Sequence, residues 1–413
     1  MKVLWFTNNA VNLHPGTLSG GWMQSLEQYL TMDDSIQLYI ATRAKCINNS
    51  ILKVNRSTYI PITDKRTLVK KRLAIFLNRE PHAYFLDQYL SIIEQVKPDI
   101  IQVFGSEMDY GLICGKVNIP VILHIQGILN PYFYQLVKNK VSFFQQLKCH
   151  SVADFIRGST FQNGFKNFER RTFVERIILE NCQNLIGRSA WDQRVMSILA
   201  PNARYFHCDE ILRNDFFKSS WKSTKNETIN IVSTISGAAY KGHDNIIATC
   251  QVLSNAGISF KWHIVGINMD AIAYHLHYQA HRKLVKDKIR FHGNLAPSAM
   301  IQVLMESDVY VHPSHIENSS NALCEAMALG MPVIALDVGG NVSMVADGVD
   351  GMIVPDNDPF SLAGMIKKVV HDTVLSAELG RRAKLRAAVR HDPATIIKHL
   401  KAIYSELVDQ HAI

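Results

Sequence analysis

The sequence predicts an α/β protein made of two doubly wound parallel sheets. Three observations carry that prediction. Short apolar runs, each closed by Gly or a polar residue, alternate with helical patterns through the first half of the chain. The alternation lapses once, in the polar, aperiodic "RNDFFKSSWKSTKNET" (213–228), and then starts again. Strands alternating with helices form a parallel sheet covered on both faces. The 413 residues are also too many for one ordinary core.

In order, "KVLWFT" reads as the first strand, "PGTLSGG" as a Gly-rich loop and "WMQSLEQYLTM" as a helix. "IQLYIAT", "IIQVFG", "VILHIQG" and "NLIGRS" continue the first sheet. After the lapse, "INIVSTIS", "KWHIVGI", "IRFHGN", "VYVHPS" and "PVIALDVGG" build the second, and "PATIIKHLKAIYSELVDQ" closes the chain as a helix. The expected division is a first domain at 1–212, a linker at 213–228, a second domain at 229–390 and a helix at 391–413 that packs back on the first domain. Two such domains are expected to face each other across a cleft. Ligands of doubly wound sheets bind beyond the carboxyl ends of the strands, which points to the loops 16–21, 105–107, 124–127, 236–241, 293–295, 314–321 and 339–341.

Composition narrows the function. Apolar residues make up 47 % and charged residues 19 %, a globular balance. No apolar run reaches the roughly 18 residues that span a bilayer, and the start reads as a strand, not a signal peptide. Seven cysteines without a C-x-x-C pair read as buried, reduced thiols of a cytosolic protein, not as a zinc site. The net charge of +8 is uneven: residues 1–210 hold 24 Lys and Arg against 17 Asp and Glu. "DKRTLVKKRLAIFLNRE" (64–80) and "FKNFERRTFVERIILE" (165–180) mix basic and apolar residues at helical spacing. Either these are solvated helix faces, or they form a basic surface that rests on anionic lipid headgroups. The basic residues are too diffuse for a nucleic-acid module.

The richest stretch is "HIENSSNALCEAMALGMPVIALDVGGN" (315–341). A strand, a loop and a helix start are followed by another strand and a Gly-Gly loop. Ser319, Ser320 and Asn321 are residue types that cap a helix, and a helix start attracts an anion such as a diphosphate. Glu325 lies roughly 7 Å further along the axis, about the step from a diphosphate to its ribose. Glu317 lies on the other side of the helix start, where a sugar on the diphosphate would sit. The plainer reading is a capped surface helix with two exposed acids. Lys241, in "ISGAAYKGHD", follows a strand and can neutralise a phosphate. Gly20 and Gly21 allow close approach of a ligand, although "GTLSGG" lacks the dinucleotide-binding spacing. His124 ends a strand and is either structural or a sugar contact. "DND" (356–358) reads as a polar turn before a helix, not a metal pair.

As a set these motifs resemble the retaining glycosyltransferases of family 4. The carriers are "KG" (241–242), "FHG" (291–293), "HPS" (312–314), the E-x7-E pair Glu317 and Glu325, "EAMALGMPVIA" (325–335) and "DGVDGMIV" (347–354), in order across about 229–370. The first half is similar more loosely, through the Gly-Gly and His124. "GRSAWD" (187–192) and "EILRNDFF" (210–217) are similar to a subgroup of bacterial surface-polysaccharide synthesis. The resemblance implies the GT-B fold, with two Rossmann-like domains, the first on the acceptor side and the second binding a nucleotide sugar. It implies a cytoplasmic enzyme at the inner membrane face that needs no cofactor and no metal. Such an enzyme moves sugar from a nucleotide-diphosphate donor to a glycan or lipid-linked acceptor, with retention.

Carried over, Glu317 holds sugar hydroxyls, Glu325 the ribose and Lys241 the diphosphate. Backbone around Ser319–Asn321 meets phosphate and sugar, Asn294 and Leu295 flank the base, and His124 lies beside the reacting sugar. Apart from the resemblance, Glu107, in "FGSE", is a candidate acceptor contact. One position departs from the family: Ser236 stands where an Arg precedes the Lys. Either another cation, with Arg188 as candidate, meets the second phosphate charge, or diphosphate binding is weaker. A GT-B nucleotide-sugar epimerase and a nucleotide-binding protein without transferase activity are the alternatives.

Overall fold

The structure, a computed structural model, describes residues 1–8, 21–43, 50–67, 69, 74, 84–138, 161–223, 227–269, 278 and 281–411. It divides into two compact units. The first takes Met1–Val137, Val141–Ile211 and Pro393–Ile413; the second is centred on Leu212–Asp392.

The first unit holds an eight-stranded sheet of β1 (Lys2–Phe6), β2 (Gln37–Thr42), β3 (Leu52–Val54), β4 (Ser57–Pro61), β5 (Ile100–Phe104), β6 (Val121–His124), β7 (Asn184–Gly187) and β8 (Arg204–His207). Their order is β3-β4-β2-β1-β5-β6-β7-β8. All pairs are parallel except β3 with β4. Successive side chains of a strand point to opposite faces, and both faces here are apolar. Leu4, Phe6, Ile101, Val103 and Leu123 pack on one side; Val3, Trp5, Phe104 and Ile122 pack on the other. Helix Pro393–His411 closes that second face with Ile396, Leu400, Ile403, Tyr404 and Leu407. Each such aliphatic side chain contributes about 1.5–3 kcal/mol when fully buried.

The second unit holds six parallel strands: β9 (Ile229–Thr234), β10 (Phe260–Val265), β11 (Ile289–Gly293), β12 (Val309–His312), β13 (Val333–Leu336) and β14 (Met352–Val354). They lie in the order β11-β10-β9-β12-β13-β14. β9 and β12 at the centre are flanked by helices on both faces, with Ile231 in one core and Val232 in the other.

The sequence pattern misses β3, β4, β8 and β14. They lie at or beside the sheet edges; β3 and β14 have three residues each, and β8 exposes Arg204 and His207, so none shows a clear apolar run. The stretch 213–228 also differs from the expected linker. It contains the helix Asp215–Lys218, and Phe216 and Trp221 are buried in the second unit. The Trp221 backbone N–H donates to Leu329 O at 2.8 Å and its indole to Ser307 O at 2.7 Å. Of the seven cysteines, the five among the described residues are buried free thiols. No described helix is long and apolar enough to cross a membrane.

Candidate functional site

In the second unit β12 ends at His312, and residues 313–320 lead into the helix Asn321–Leu329. The Ser320 side chain caps this helix, accepting from the Leu323 N–H. The two acids are buried, not exposed: Glu317 is 8 % and Glu325 6 % accessible. That removes the plain surface-helix reading.

Each acid has a cation. Lys241 Nζ donates to Glu317 Oε2 at 2.6 Å. His312 Nε2 stands 3.3 Å from the same oxygen, without the alignment of a hydrogen bond. Burial pushes the Glu317 carboxyl up, but Lys241 and His312 outweigh it and hold its pKa at about 2. Burial likewise lowers the Lys241 ammonium, and the Glu317 charge more than offsets this, so its pKa is raised. The pair is therefore fully ionised at neutral pH. Glu325 Oε1 accepts from Arg213 Nε at 2.8 Å, and Arg213 Nη2 lies 2.7 Å from the same oxygen. Here burial wins over Arg213, and the carboxyl is held up at about 7.

Backbone geometry fixes these side chains. Lys241 ends a short 3-10 turn, Ala239–Lys241, and Gly242 follows with φ +73°. A Cβ on Gly242 would fall 1.7 Å from Pro313 O, so only glycine lets the Lys241 turn lie against the loop of Glu317. His315 N donates to Tyr240 O at 2.8 Å across the same seam. On its other side, a Cβ on Gly339 (φ +51°) would meet Glu317 O at 2.0 Å, and Gly340 N donates to that oxygen at 2.8 Å. His315 pins the loop from beneath, 2.8 Å from Asp244 and 2.9 Å from Asp356. Burial lowers its pKa, yet the two carboxylates raise it to about 9. Asp356 is thus a loop tie, and Asp358 caps the helix Pro359–His371. We expect Gly242→Ala to destabilise the unit by more than the roughly 1 kcal/mol that a left-handed backbone alone costs. Calorimetric unfolding checks it, and an unchanged midpoint would show that the two loops are not tied there.

Buried polar atoms without a hydrogen-bond partner cluster in the same place. Ser314 Oγ and Asn321 Oδ1 are two of them. Native proteins leave few such atoms, and each asks for a ligand or water. Ser319 is buried with its hydroxyl on Met344 Sδ at 3.6 Å. Asn294 and Leu295 follow β11, the first exposed and the second half-buried. Ser236 is exposed, and its carbonyl lies 3.1 Å from His243 Nε2.

In the first unit Gly21 opens the helix Gly21–Leu30; Gly20 lies outside the described residues. His124 ends β6, is 2 % accessible, and lies against Phe104 and Trp22 at ring distances of 5.5 and 5.4 Å. Burial and the Arg188 charge push its pKa down to about 3, against Glu210. Glu107 follows β5 and accepts from Gly127 N at 2.6 Å; burial pushes it up to about 7. Arg188 is held in this unit, 3.6 Å from Glu210 and over the Trp22 ring at 5.1 Å. Arg213 is the cation on Glu325. Sequence reasoning missed it because it lies in the stretch read as linker. Its local signal is the run "EILRNDFF" (210–217) that contains it; its neighbours Leu212 and Phe216 are buried.

Two Rossmann-like parallel-sheet units, the second with a capped helix start and buried, paired charges, define the GT-B fold. A solved sucrose-phosphate synthase from Thermosynechococcus elongatus is similar over 99 % of both chains, with a TM-score of 0.72 and 17 % identity. HepE of Anabaena, solved in complex with UDP-glucose, is similar over 98 % of this chain and 100 % of its own (TM-score 0.64, 14 % identity). The sequence model described as glycosyl transferases, group 1, matches residues 215–386. Curated relatives include a D-inositol 3-phosphate glycosyltransferase of Streptomyces avermitilis, 35 % identical over 26 % of this chain and 22 % of its own. The capsular polysaccharide biosynthesis glycosyltransferase CapM of Staphylococcus aureus is 29 % identical over 31 % and 30 %. The putative colanic acid biosynthesis glycosyltransferase WcaL of Salmonella typhimurium is 30 % identical over 35 % and 37 %. The chain thus spans between 22 % and 37 % of the length of these three.

Proposed function

We propose that the protein is a retaining, metal-independent glycosyltransferase that moves a sugar from a nucleotide-diphosphate sugar to a glycan or lipid-linked acceptor in polysaccharide synthesis. The observation that carries this is the ionised Lys241–Glu317 pair beside a Ser-capped helix start, with Glu325 one turn further on. In the structure Lys241 and Glu317 neutralise each other. When the donor enters, Lys241 and the free N–H groups of the helix start turn to the diphosphate. Glu317 is then released to accept hydrogen bonds from sugar hydroxyls, and Glu325 accepts from the ribose. The acceptor oxygen attacks the anomeric carbon on the face that the diphosphate leaves. The carbon–oxygen bond to the phosphate breaks, and the acceptor's proton passes to the departing phosphate oxygen. Lys241 and the helix start supply positive charge for this step, which supports a reaction without metal.

One helix of the first unit supports a place of action at a membrane. Along the helix Phe161–Glu180, Phe173 and Ile177 are exposed, as are Lys166 and Arg176 and the acids Glu169 and Glu180. This mix supports contact with an anionic cytoplasmic membrane face, where lipid-linked acceptors are found.

The test is calorimetric titration with UDP, GDP, ADP and their sugar conjugates, with and without chelator. One nucleotide is expected to bind, more tightly with one sugar and equally with chelator; no binding across the panel would reject the reading. The same titrations carry a pH signature. Ribose hydroxyls bind the carboxylate form of Glu325, and the free carboxyl is held at about 7. A ligand that takes the ionised form gains affinity as pH rises through that value. Affinity should therefore climb between about pH 6 and 8 and then level off, and in Glu325→Gln the climb should vanish.

A further inference from the structure

One chain of hydrogen bonds in the first unit has a fixed direction. Trp5 in β1 and Gln102 in β5 are register partners, so their side chains leave the sheet on the same face, under the helix Pro393–His411. The indole N–H of Trp5 lies 3.2 Å from the Tyr404 hydroxyl. An indole can only donate, so the Tyr404 oxygen accepts from it and turns its own proton elsewhere. That proton goes to Gln102 Oε1. Burial raises the Tyr404 phenol well above its ordinary range, so the proton stays. With its oxygen committed, the Gln102 amide presents only its NH2 to the neighbouring strand. There it lies 2.9 Å from His124 Nδ1. An amide nitrogen cannot accept, so Nδ1 must, and the ring proton sits on Nε2. That atom is buried and has no hydrogen-bond partner.

We propose that Tyr404 and Gln102 are positioning residues that hold His124 as the neutral Nε2–H tautomer, a hydrogen-bond donor to a substrate oxygen at the end of β6. His124 is then not a base. Phe104 and Trp22 fix the ring plane, and the charged groups that face it are Arg188 and Glu210. That the oxygen belongs to the transferred sugar rests on the proposed function; the tautomer does not.

The experiment is long-range 1H–15N NMR of the full chain with labelled histidine. His124 is expected as the Nε2–H tautomer from pH 6 to 8.5, without titrating; a proton on Nδ1, or titration in that range, overturns the proposal. Tyr404→Phe keeps the ring packed but leaves the Gln102 amide free to turn, so the His124 signals should shift toward mixed tautomers. Signals identical to the wild type would remove Tyr404 from the chain. Gln102→Glu places an acceptor at Nδ1 and is expected to protonate it, bringing a titration near neutrality. In transfer assays both variants should lose about tenfold in kcat, with the donor KM changed less than twofold. The expected spectra with unchanged kcat would leave the chain standing and reject the sugar contact of His124.

Discussion

Glu317→Ala is expected to slow sugar transfer by about 10²–10³ or more while leaving nucleotide affinity within a few-fold of the wild type. The carboxylate is ionised across the whole working range because Lys241 and His312 hold its pKa at about 2. In the variant its hydrogen bonds to the sugar are gone, while Lys241 and the helix start remain for the diphosphate. Losing one preorganised contact of this kind costs about 10²–10³ in rate. Glu317→Gln separates charge from shape, and it should fall nearly as far if the negative charge is what the transition state uses. The measurements are acceptor-dependent product formation and calorimetric nucleotide binding, side by side. Undiminished transfer would show that the site is misassigned. Donor turnover without any acceptor in the wild type would favour the epimerase reading, and nucleotide binding without turnover the non-catalytic one.

Arg213→Ala should weaken nucleotide binding at pH 7 by about tenfold or more, and the loss should be recovered at higher pH. Glu325 is already held at about 7 by burial, with Arg213 as the opposing influence. Without Arg213 the carboxyl moves further up and is neutral at pH 7. A neutral carboxyl cannot accept from both ribose hydroxyls as well as a carboxylate can. The affinity rise expected near pH 7 should therefore shift to higher pH. Breaking a buried pair commonly costs about 3–5 kcal/mol, but protonation of Glu325 relieves the unpaired charge. The unfolding penalty should be smaller below pH 7 than above it. Titrations at several pH values, with parallel melts, check both; a profile unmoved from the wild type would mean that Arg213 does not tune Glu325.

The central strands and the E-x7-E pair were legible because their signals are local. A buried parallel strand writes itself as an apolar run, and Ser320 and Asn321 announce the start of a helix within three residues. The partners of these residues were not legible. Arg213 meets a glutamate 112 residues away. The Gln102 and Tyr404 side chains are 302 apart, and nothing near either predicts the other. The short edge strands were lost for a different reason: with one side open to solvent they carry mixed polarity. The basic stretch 64–80 falls largely outside the described residues.

The helix Pro393–His411 belongs to the first unit although the second unit precedes it in the chain. At about 5–20 residues per second, a ribosome needs tens of seconds to make the intervening part. Through that time the face carrying Val3, Trp5, Leu38 and Ile40 is covered only in part, by the helix Gly21–Leu30, and Gln102 lacks the hydroxyl that orients it. Completion of this unit thus waits until the second unit has been made. A chain interrupted before Pro393 would offer an intact second unit beside a sticky, unfinished first one, a state for chaperones to hold or proteases to clear.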